Sequence, residues 1–305
     1  MSLRSVLDGG SGAMTAVITD SGLGGLLIGA GLESRLLWTE GSLPVRLVYV
    51  NAWPEERLGY NDLPDLAARG AVFDRALAAM KGFRPDLIVI ACNTLSVVYE
   101  ATDFRRAPAV PVLGILEEGT ALFHDALTRD PDAALALFGT RTTIGSGEHI
   151  RRLARLGVDA RRIVAEPCHG LAAAIDKDPG AAGIEGLIEE CVSRASRRIP
   201  AGARVCAGLA CTHYAYVAEA FQASLARRTG APVEVLDPGE RLVQVMMRGL
   251  NRRRHGTGMR RVMVEVVSKV ELDEPQRKAV ARRLETISPA TAQALLDYRH
   301  VPDLF

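Results

Sequence analysis

Two cysteines of this 305-residue chain stand where an apolar run ends and polar residues begin. Cys92 is followed by an Asn-Thr pair, and Cys211 is followed by Thr-His-Tyr. At the start of a helix, the dipole lowers the pKa of a thiol below its free value of about 8.5. Two such thiols on opposite sides of a carbon acid could remove a proton from one face and return it to the other. A lone cysteine would be weak support, because buried cysteines are common and inert core residues.

Four short segments carry the candidate chemistry, and each lies where an apolar strand gives way to a turn and a helix. They are residues 20–25 (DSGLGG), 91–94 (ACNT), 139–146 (GTRTTIGS) and 210–214 (ACTHY). Free backbone N–H groups and the positive end of the helix dipole favour a bound anion at such places. We expect Asp20 to orient or deprotonate the Cys92 thiol, and His213 to do the same for Cys211. Five side chains supply hydroxyl or amide partners for a carboxylate or an ammonium group: Ser21, Asn93, Thr94, Thr143 and Thr212.

Short apolar runs alternate with longer amphipathic ones from end to end. The predicted strands are nearly continuous in Val, Ile and Leu, as buried parallel strands require. They are residues 16–19, 46–50, 87–91, 112–115, 134–138, 162–165, 205–209, 233–236 and 262–267. Helices are predicted between them, for example at 65–81, and another at 275–286. This alternation is typical of an α/β protein in which helices cover both faces of parallel sheets.

Each half of the chain offers a polar turn and, much later, a cysteine at a strand end. Cys92 follows Asp20 by 72 residues, and Cys211 follows Thr140 by 71. In open α/β sheets, ligands bind just beyond the carboxyl ends of the strands. Two similar halves that face each other would bring both thiols to one cleft, although such a spacing also arises by chance in α/β proteins.

Composition excludes several classes of protein. The length suits two domains, and 48% hydrophobic residues allow a sizeable core. With 37 Lys and Arg against 36 Asp and Glu, the net charge of +1 gives no field that recruits nucleic acid or anionic membranes. No apolar run approaches the roughly 20 residues of a membrane helix. Five cysteines without a CxxC pair indicate neither a disulfide framework nor a metal site, so we expect a cytoplasmic protein with reduced thiols.

An Arg-rich stretch interrupts the α/β pattern near the C-terminus. Six arginines lie within residues 248–261, together with three glycines. A solvated helix end followed by a linker explains them, because cations suit the carboxyl end of a helix dipole. A nucleic-acid patch is the weaker interpretation, because no aromatic residues interleave with the arginines.

Together the four segments resemble the cofactor-independent glutamate racemases of the aspartate/glutamate racemase superfamily. That family reads D-S-G-x-G-G, A-C-N-T, G-T-x-x-T-x-x-S and C-T-H-Y in this order, as does this chain between about residues 16 and 250. The resemblance implies two similar lobes, each a mostly parallel sheet flanked by helices, with the active site in the cleft between them. Residues 1–112 and 215–305 would form the first lobe, and residues 113–214 the second.

The resemblance also implies a reaction and roles for individual residues. It implies racemisation of a small acidic amino acid, glutamate before aspartate, without pyridoxal phosphate or a metal, and with D-glutamate for peptidoglycan as product. Cys92 and Cys211 would be the two bases, with Asp20 and His213 as their assistants. Ser21, Asn93, Thr94, Thr143 and Thr212 would hold the amino and carboxylate groups. A homodimer is usual for such enzymes.

Three features depart from the family pattern. Gly59-Tyr60-Asn61 replaces Pro-Tyr-Gly, so Tyr60 keeps its place while Asn61 enters a turn whose N–H groups help to read the far carboxylate of the substrate. Asp176 replaces a Glu that assists the second cysteine, and its carboxylate is one methylene shorter. The tail from about residue 256 extends beyond the usual family length, and we expect an added strand and helix that pack on a lobe or on a partner.

Other interpretations stay open at this stage. A racemase of aspartate or a hydantoin, a related isomerase, and a decarboxylase are alternatives within the superfamily, although a decarboxylase needs only one cysteine. A cysteine hydrolase that uses Cys92 and His213 would leave Cys211 unexplained. A two-lobed amino-acid binding protein that has lost catalysis is the non-enzymatic alternative. His149 is interpreted as a surface helix residue or a ligand, and Cys191 and Cys206 as packing residues.

Overall fold

The computed structural model describes residues 13–39, 44–200, 202–252 and 261–305. Within these ranges, ten strands form two sheets, which confirms the α/β prediction. Each of the nine predicted strands is present, with bounds shifted by two residues at most. The strands are β1 (Met14–Asp20), β2 (Val45–Asn51), β3 (Leu87–Ile90), β4 (Val112–Gly114), β5 (Ala133–Gly139), β6 (Ile163–Pro167), β7 (Arg204–Ala210), β8 (Val233–Leu236), β9 (Val262–Ser268) and β10 (Arg299–His300).

Helices connect and cover the strands. The α-helices are α1 (Leu26–Leu37), α2 (Leu66–Met80), α3 (Asn93–Tyr99), α4 (Asp103–Arg106), α5 (Ile115–Arg129), α6 (Arg141–Gly145), α7 (Glu148–Arg155), α8 (Leu171–Lys177), α9 (Ile184–Ser196), α10 (Ala218–Thr229), α11 (Pro238–Arg252), α12 (Glu274–Glu285) and α13 (Pro289–Leu296). Three short 3₁₀ segments are Lys81–Phe83, Ala160–Arg162 and Thr212–Val217. The predicted helix at 65–81 is α2, whose N-cap Asp65 accepts a hydrogen bond from the Ala68 N–H at 2.8 Å. The predicted helix at 275–286 is α12.

The two sheets are parallel throughout. The first has the strand order β10-β9-β2-β1-β3-β4, and the second has the order β6-β5-β7-β8. Every residue of β3 and of β5 is buried, as expected for strands with helices on both faces. Because all strands of a sheet run in the same direction, their carboxyl ends meet at one edge. The loops that follow β1, β3, β5 and β7 therefore gather the four motif segments.

The C-terminal segment completes the first sheet. Strand β9 pairs in parallel with β2 over its whole length, from Val262 opposite Val45 to Ser268 opposite Asn51. Helices α12 and α13 pack on the outside of the same sheet, where Leu284 is fully buried in a cluster shared with α1. The expected strand therefore joins the first sheet, and the expected helix packs in the cluster that covers it.

Strand pairing bears on the proposed boundary between the lobes. Strand β8 pairs with β7 and belongs to the second sheet, although the resemblance implies that residues 215–305 form part of the first lobe. We therefore propose that the second lobe ends after Leu236. Residues 253–260, which contain much of the Arg-rich stretch, lie outside the described residues. No helix in the described part of the chain is long and apolar enough to cross a membrane.

Candidate active site

The carboxyl ends of both sheets meet around one cluster of polar side chains. Thr212, which follows β7 of the second sheet, donates a hydrogen bond of 2.7 Å from its hydroxyl to Asp20 Oδ2, at the end of β1 in the first sheet. Thr94, which follows β3, lies 2.9 Å from Thr140 and 3.2 Å from Thr143 through its hydroxyl oxygen. The structure thus brings residues of all four motifs together between the sheets.

Glycines of the first motif allow this close approach. A Cβ atom on Gly22 would lie 2.8 Å from Asp176 Oδ1, and one on Gly24 would lie 2.7 Å from the backbone nitrogen of His213. Contacts under 3.0 Å of this kind essentially do not occur, so a side chain at Gly22 would displace the Asp176 carboxylate, and one at Gly24 would displace the backbone that follows β7. The glycines of the DSGLGG segment are therefore needed for the two halves to meet.

Cys92 is the N-cap of α3 and is nearly buried. Its sulfur accepts a hydrogen bond from the Leu95 N–H at 3.5 Å and lies 3.2 Å from the Ser21 hydroxyl oxygen. Burial raises the pKa of the Cys92 thiol well above its usual range, and the carboxyl of Asp20 raises it further. The hydrogen bonds lower this pKa without offsetting the loss of hydration. The pKa decrease expected from a helix start is therefore wrong for this closed site, and Cys92 is held as a thiol.

Asp20 is fully buried beside this thiol. Burial raises the pKa of its carboxyl, while the charge of His213 and the hydrogen bond from Thr212 lower it. Its second oxygen, Oδ1, has no hydrogen-bond partner among the described residues. An unpaired carboxylate oxygen in a buried site is costly, so a proton or a cationic ligand group would be favoured there.

Cys211 belongs to a chain of polar groups on the other side. Its sulfur lies 3.7 Å from His213 Nδ1, and His213 Nε2 lies 2.6 Å from Asp176 Oδ1. Burial lowers the pKa of His213, but its contacts with Asp176 and Cys211 outweigh burial and raise that pKa well above the ordinary value. The His213 ring therefore lies between the Asp176 carboxylate and the Cys211 sulfur. The shorter carboxylate of Asp176 therefore does reach His213.

Asp176 is held from the first lobe as well. The Leu23 N–H donates to Asp176 Oδ1 at 2.7 Å, and Gln276 Nε2 donates to Asp176 Oδ2 at 2.7 Å. Sequence reasoning missed both donors, because one is a backbone group and the other lies 100 residues downstream on α12. It also left Thr140 without a role, although its position in the GTRTTIGS segment, as the N-cap of α6, was a usable signal.

Two predicted binding residues have buried polar atoms that remain free. Both the oxygen and the nitrogen of the Asn93 side-chain amide, and the Tyr60 hydroxyl, find no hydrogen-bond partner within the described ranges. Asn93 and Tyr60 are each 1% exposed. Buried polar groups are normally paired, so these atoms indicate a place for a polar ligand. Together with Asp20 Oδ1, they give the site acceptors and donors for both ends of an amino acid.

Asn61 links the two halves at the surface. Its Oδ1 accepts a hydrogen bond of 2.6 Å from the Thr142 hydroxyl, which belongs to the segment that follows β5. The residue is exposed, unlike its neighbour Tyr60. Asn61 therefore adds a side-chain bridge across the mouth of the site at the position where the resemblance predicts glycine.

Other sequence candidates lie outside this cluster. His149 is 1% exposed, so its interpretation as a surface helix residue is wrong. Burial, assisted by Arg152, lowers the pKa of His149 to about 4, and the ring packs 5.8 Å from the Phe123 ring. Cys191 on α9 and Cys206 on β7 are buried packing residues, as predicted. Nowhere in the described part of the chain do three His, Cys, Asp or Glu residues form a group that could hold a metal ion.

Comparison with known proteins identifies the family. A family model described as Asp/Glu/Hydantoin racemase matches residues 56–246. The chain belongs to the Asp/Glu/Hydantoin racemase family. A glutamate racemase of Jannaschia sp. is 32% identical over 236 residues, which cover 70% of this chain and 77% of that protein. A glutamate racemase of Caulobacter sp. is 29% identical over 238 residues, with coverage of 70% and 78%.

Solved structures of family members share the fold. The structure of glutamate racemase from Francisella tularensis in complex with D-glutamate has a TM-score of 0.68 at 18% identity, and covers 96% of this chain and 98% of its own. That of glutamate racemase from Campylobacter jejuni has a TM-score of 0.64 at 22% identity, with coverage of 87% and 96%. These likenesses confirm the two-lobed α/β architecture.

Membership of the Asp/Glu/Hydantoin racemase family settles the class of enzyme. Relatives that are glutamate racemases are isomerases, and this chain is an isomerase of the amino-acid racemase type. The match of the family model spans three of the four motif segments, those that follow β3, β5 and β7.

Proposed function

We propose that this protein interconverts L-glutamate and D-glutamate by moving the α-proton between two thiols, Cys92 and Cys211. One observation carries the proposal: the two thiols follow strands of different sheets, and each has its own acid–base partner. Asp20 lies beside Cys92. On the other side, His213 contacts the Cys211 sulfur, and Asp176 contacts His213. Glutamate is favoured as substrate because the curated relatives are glutamate racemases.

The exchange needs one protonated and one ionised thiol, and the two cysteines have different neighbours. Burial keeps Cys92 as a thiol, which is a proton donor. On the other side, His213 Nδ1 lies 3.7 Å from the Cys211 sulfur and can exchange a proton with it. Turnover of one enantiomer begins with the proton on Cys92, and turnover of its mirror image begins with the proton on Cys211.

The chemical step then needs no other acid or base, and a proton must return from Cys211 to Cys92 before the same enantiomer can react again. In the direction that begins at Cys211, its thiolate takes the α-proton, an S–H bond forms, and the electron pair of the broken C–H bond stays on the α-carbon. The Cys92 thiol gives its proton to the opposite face and becomes a thiolate. The reverse reaction begins at Cys92 and ends at Cys211. Donors around the carboxylate stabilise the negative charge that spreads onto it in the transition state.

The free polar atoms suggest how the substrate is held. We assign the α-carboxylate to the Asn93 amide and to the hydroxyls of Thr94 and Thr143, with Ser21 and Thr212 at its sides. The ammonium group lies at Asp20 Oδ1, which is unpaired among the described residues. The distal carboxylate lies toward the turn that contains Tyr60 and Asn61.

The first test is α-proton exchange in D₂O without pyridoxal phosphate. Purified protein is incubated separately with L-glutamate, D-glutamate, L-aspartate and D-aspartate, while NMR follows loss of the α-proton and circular dichroism follows chirality. We expect exchange with inversion for both forms of glutamate, and slower exchange or none for aspartate. Exchange for aspartate alone would contradict the glutamate assignment, and no exchange for any of the four would contradict racemisation of acidic amino acids.

Aspartate is a second candidate, and the Asn61 bridge is the observation that favours it. A side chain tied to Thr142 narrows the mouth of the site, which suits a substrate one methylene shorter. We expect Asn61→Gly to raise the ratio of kcat/KM for glutamate over aspartate by about two- to tenfold, the range of one hydrogen bond. Asp62→Asn, in the same turn, serves as the control. An unchanged ratio in Asn61→Gly would mean that the bridge does not select the substrate.

The cellular role follows from the same proposal. D-glutamate is a building block of bacterial peptidoglycan, so we propose that the enzyme supplies cell-wall synthesis from the cytoplasm. We also propose that it works as a homodimer, which light scattering of the purified protein would test.

A further inference from the structure

Both oxygens of the Asp176 carboxylate are occupied, and each is held by the opposite lobe. Oδ1 contacts His213 Nε2 at 2.6 Å and the Leu23 N–H at 2.7 Å. Oδ2 accepts from Gln276 Nε2 at 2.7 Å, and the same amide nitrogen lies 3.2 Å from the main-chain oxygen of Asp176. Asp176 is on α8 of the second lobe, whereas Leu23 and Gln276 belong to segments of the first.

Gln276 is itself fixed by the start of α12. It lies three residues after the N-cap Asp273, whose carboxylate accepts the Gln276 N–H at 2.7 Å. At this position a Glu or Gln side chain usually folds back to the N-cap backbone. The Gln276 side chain instead donates twice to Asp176, so a helix-capping position is used to reach the second lobe.

The chemistry of an amide suits this contact. An amide donates hydrogen bonds without neutralising the carboxylate, so Asp176 keeps the full negative charge that His213 needs. A short Asp side chain also has less reach than a Glu. A donor on its far oxygen turns the near oxygen toward His213 and compensates for the missing methylene.

We infer that Gln276 is a positioning residue for the Cys211 half of the site: it orients Asp176, which in turn holds His213 against the thiol. The inference rests on the proposed function for its role in turnover. The C-terminal segment would then take part in catalysis, because Gln276 on α12 contacts Asp176, which contacts His213 next to Cys211. Within the described part of the chain, the hydrogen bonds of the Gln276 side chain go to Asp176 and none goes to the Cys92 half, so we expect its main effect at Cys211.

Thiol reactivity tests the inference without any substrate. The protein is treated with iodoacetamide at neutral pH, and peptide mass spectrometry follows the alkylation rate at Cys211 and at Cys92, which as a thiol should be the slower of the two. In Gln276→Met, which keeps length but lacks donors, we expect Cys211 to react about tenfold more slowly, the size of one hydrogen bond to a charged group. Cys92 should change less than about twofold. Gln276→Glu, with a carboxylate in place of the donor, should give the same one-sided result.

The matched control is Lys278→Met on the exposed side of the same helix, which should leave both rates unchanged. Equal loss of reactivity at the two thiols would indicate a general disturbance of the fold and would overturn the inference. An unchanged Cys211 rate in both Gln276 variants would overturn it as well. Circular dichroism shows whether each Gln276 variant folds. If one of the two does not fold, the Cys211 rate of the other variant tests the inference.

A second readout connects the contact to turnover. With α-deuterated enantiomers, we expect Gln276→Met to increase the isotope effect for the enantiomer deprotonated by Cys211 and not for its mirror image, because only one proton transfer becomes slower. Equal isotope effects for both enantiomers would contradict a one-sided role. If the wild-type protein racemises neither glutamate nor aspartate while the one-sided thiol effect is present, the proposed function fails and the positioning role stands.

Discussion

Cys92→Ala and Cys211→Ala are each expected to lower kcat/KM for racemisation by about a thousandfold, within the range of general acid–base catalysis. That loss corresponds to about 4 kcal/mol of transition-state stabilisation. The reason is that either variant keeps one base on one face and loses the group that must act on the other. Circular dichroism with purified L- and D-glutamate measures the loss directly.

The remaining thiol should give each variant a residual and opposite activity. Cys92→Ala keeps the base at Cys211 and should exchange the α-proton of one enantiomer with solvent, without inversion. Cys211→Ala should exchange only the mirror image. The control is Cys206→Ala, since Cys206 is a buried cysteine on β7 five residues before Cys211 and has no role in the site. Exchange of the same enantiomer by both variants would rule out thiols on opposite faces.

The asymmetry of the two half-sites explains why two different thiol environments are useful. Cys92 is surrounded by an uncharged hydroxyl, a backbone N–H and a buried carboxyl, and burial keeps its proton in place. Cys211 instead has the His213 imidazolium as its neighbour, 3.7 Å from its sulfur. Each direction of the reaction needs the proton on a different thiol, so the two directions start from different states of the site.

Sequence alone predicted what depends on local pattern. Buried parallel strands are continuous apolar runs, so β1 to β9 were found, and the polar residues that follow them gave the site. Strand β10 has only two residues, Arg299 and His300, and both are exposed. It is a strand because it pairs in parallel with β9, and this pairing cannot be predicted from the local sequence.

Contacts between distant segments set the limit of that prediction. In the sequence, Gln276 is an ordinary polar residue in the first turn of a predicted helix, and only the fold brings it to Asp176. Whether the pKa of Cys92 lies above or below that of a free thiol depends on how completely the sheets and helices exclude water. His149 lies on an otherwise strongly charged helix, so the pattern indicated a surface position until packing against Phe123 buried it. In each case tertiary packing overrides a local signal.

Asp176→Asn is expected to lower kcat/KM by about a hundredfold or more at pH 8, while the fold persists. The variant is isosteric, and its amide oxygen still accepts the Leu23 N–H. Gln276 can turn its own oxygen toward the new amide nitrogen. What disappears is the negative charge that opposes the effect of burial on His213.

The pH profile of this variant gives the sharper test. In the wild-type protein the pKa of His213 is raised well above its ordinary value, so the imidazolium persists as pH rises and is lost only above that pKa. Without the charge of Asp176, burial lowers the pKa of His213, and the imidazolium forms only as pH falls. We therefore expect the alkaline limb of kcat/KM to move to lower pH in Asp176→Asn. Asp178→Asn, whose side chain accepts the Gly180 N–H near the end of the same helix, should keep the wild-type profile. An Asp176→Asn profile identical to that of the wild-type protein would show that His213 does not act as an imidazolium. Another group would then have to account for the reactivity of Cys211.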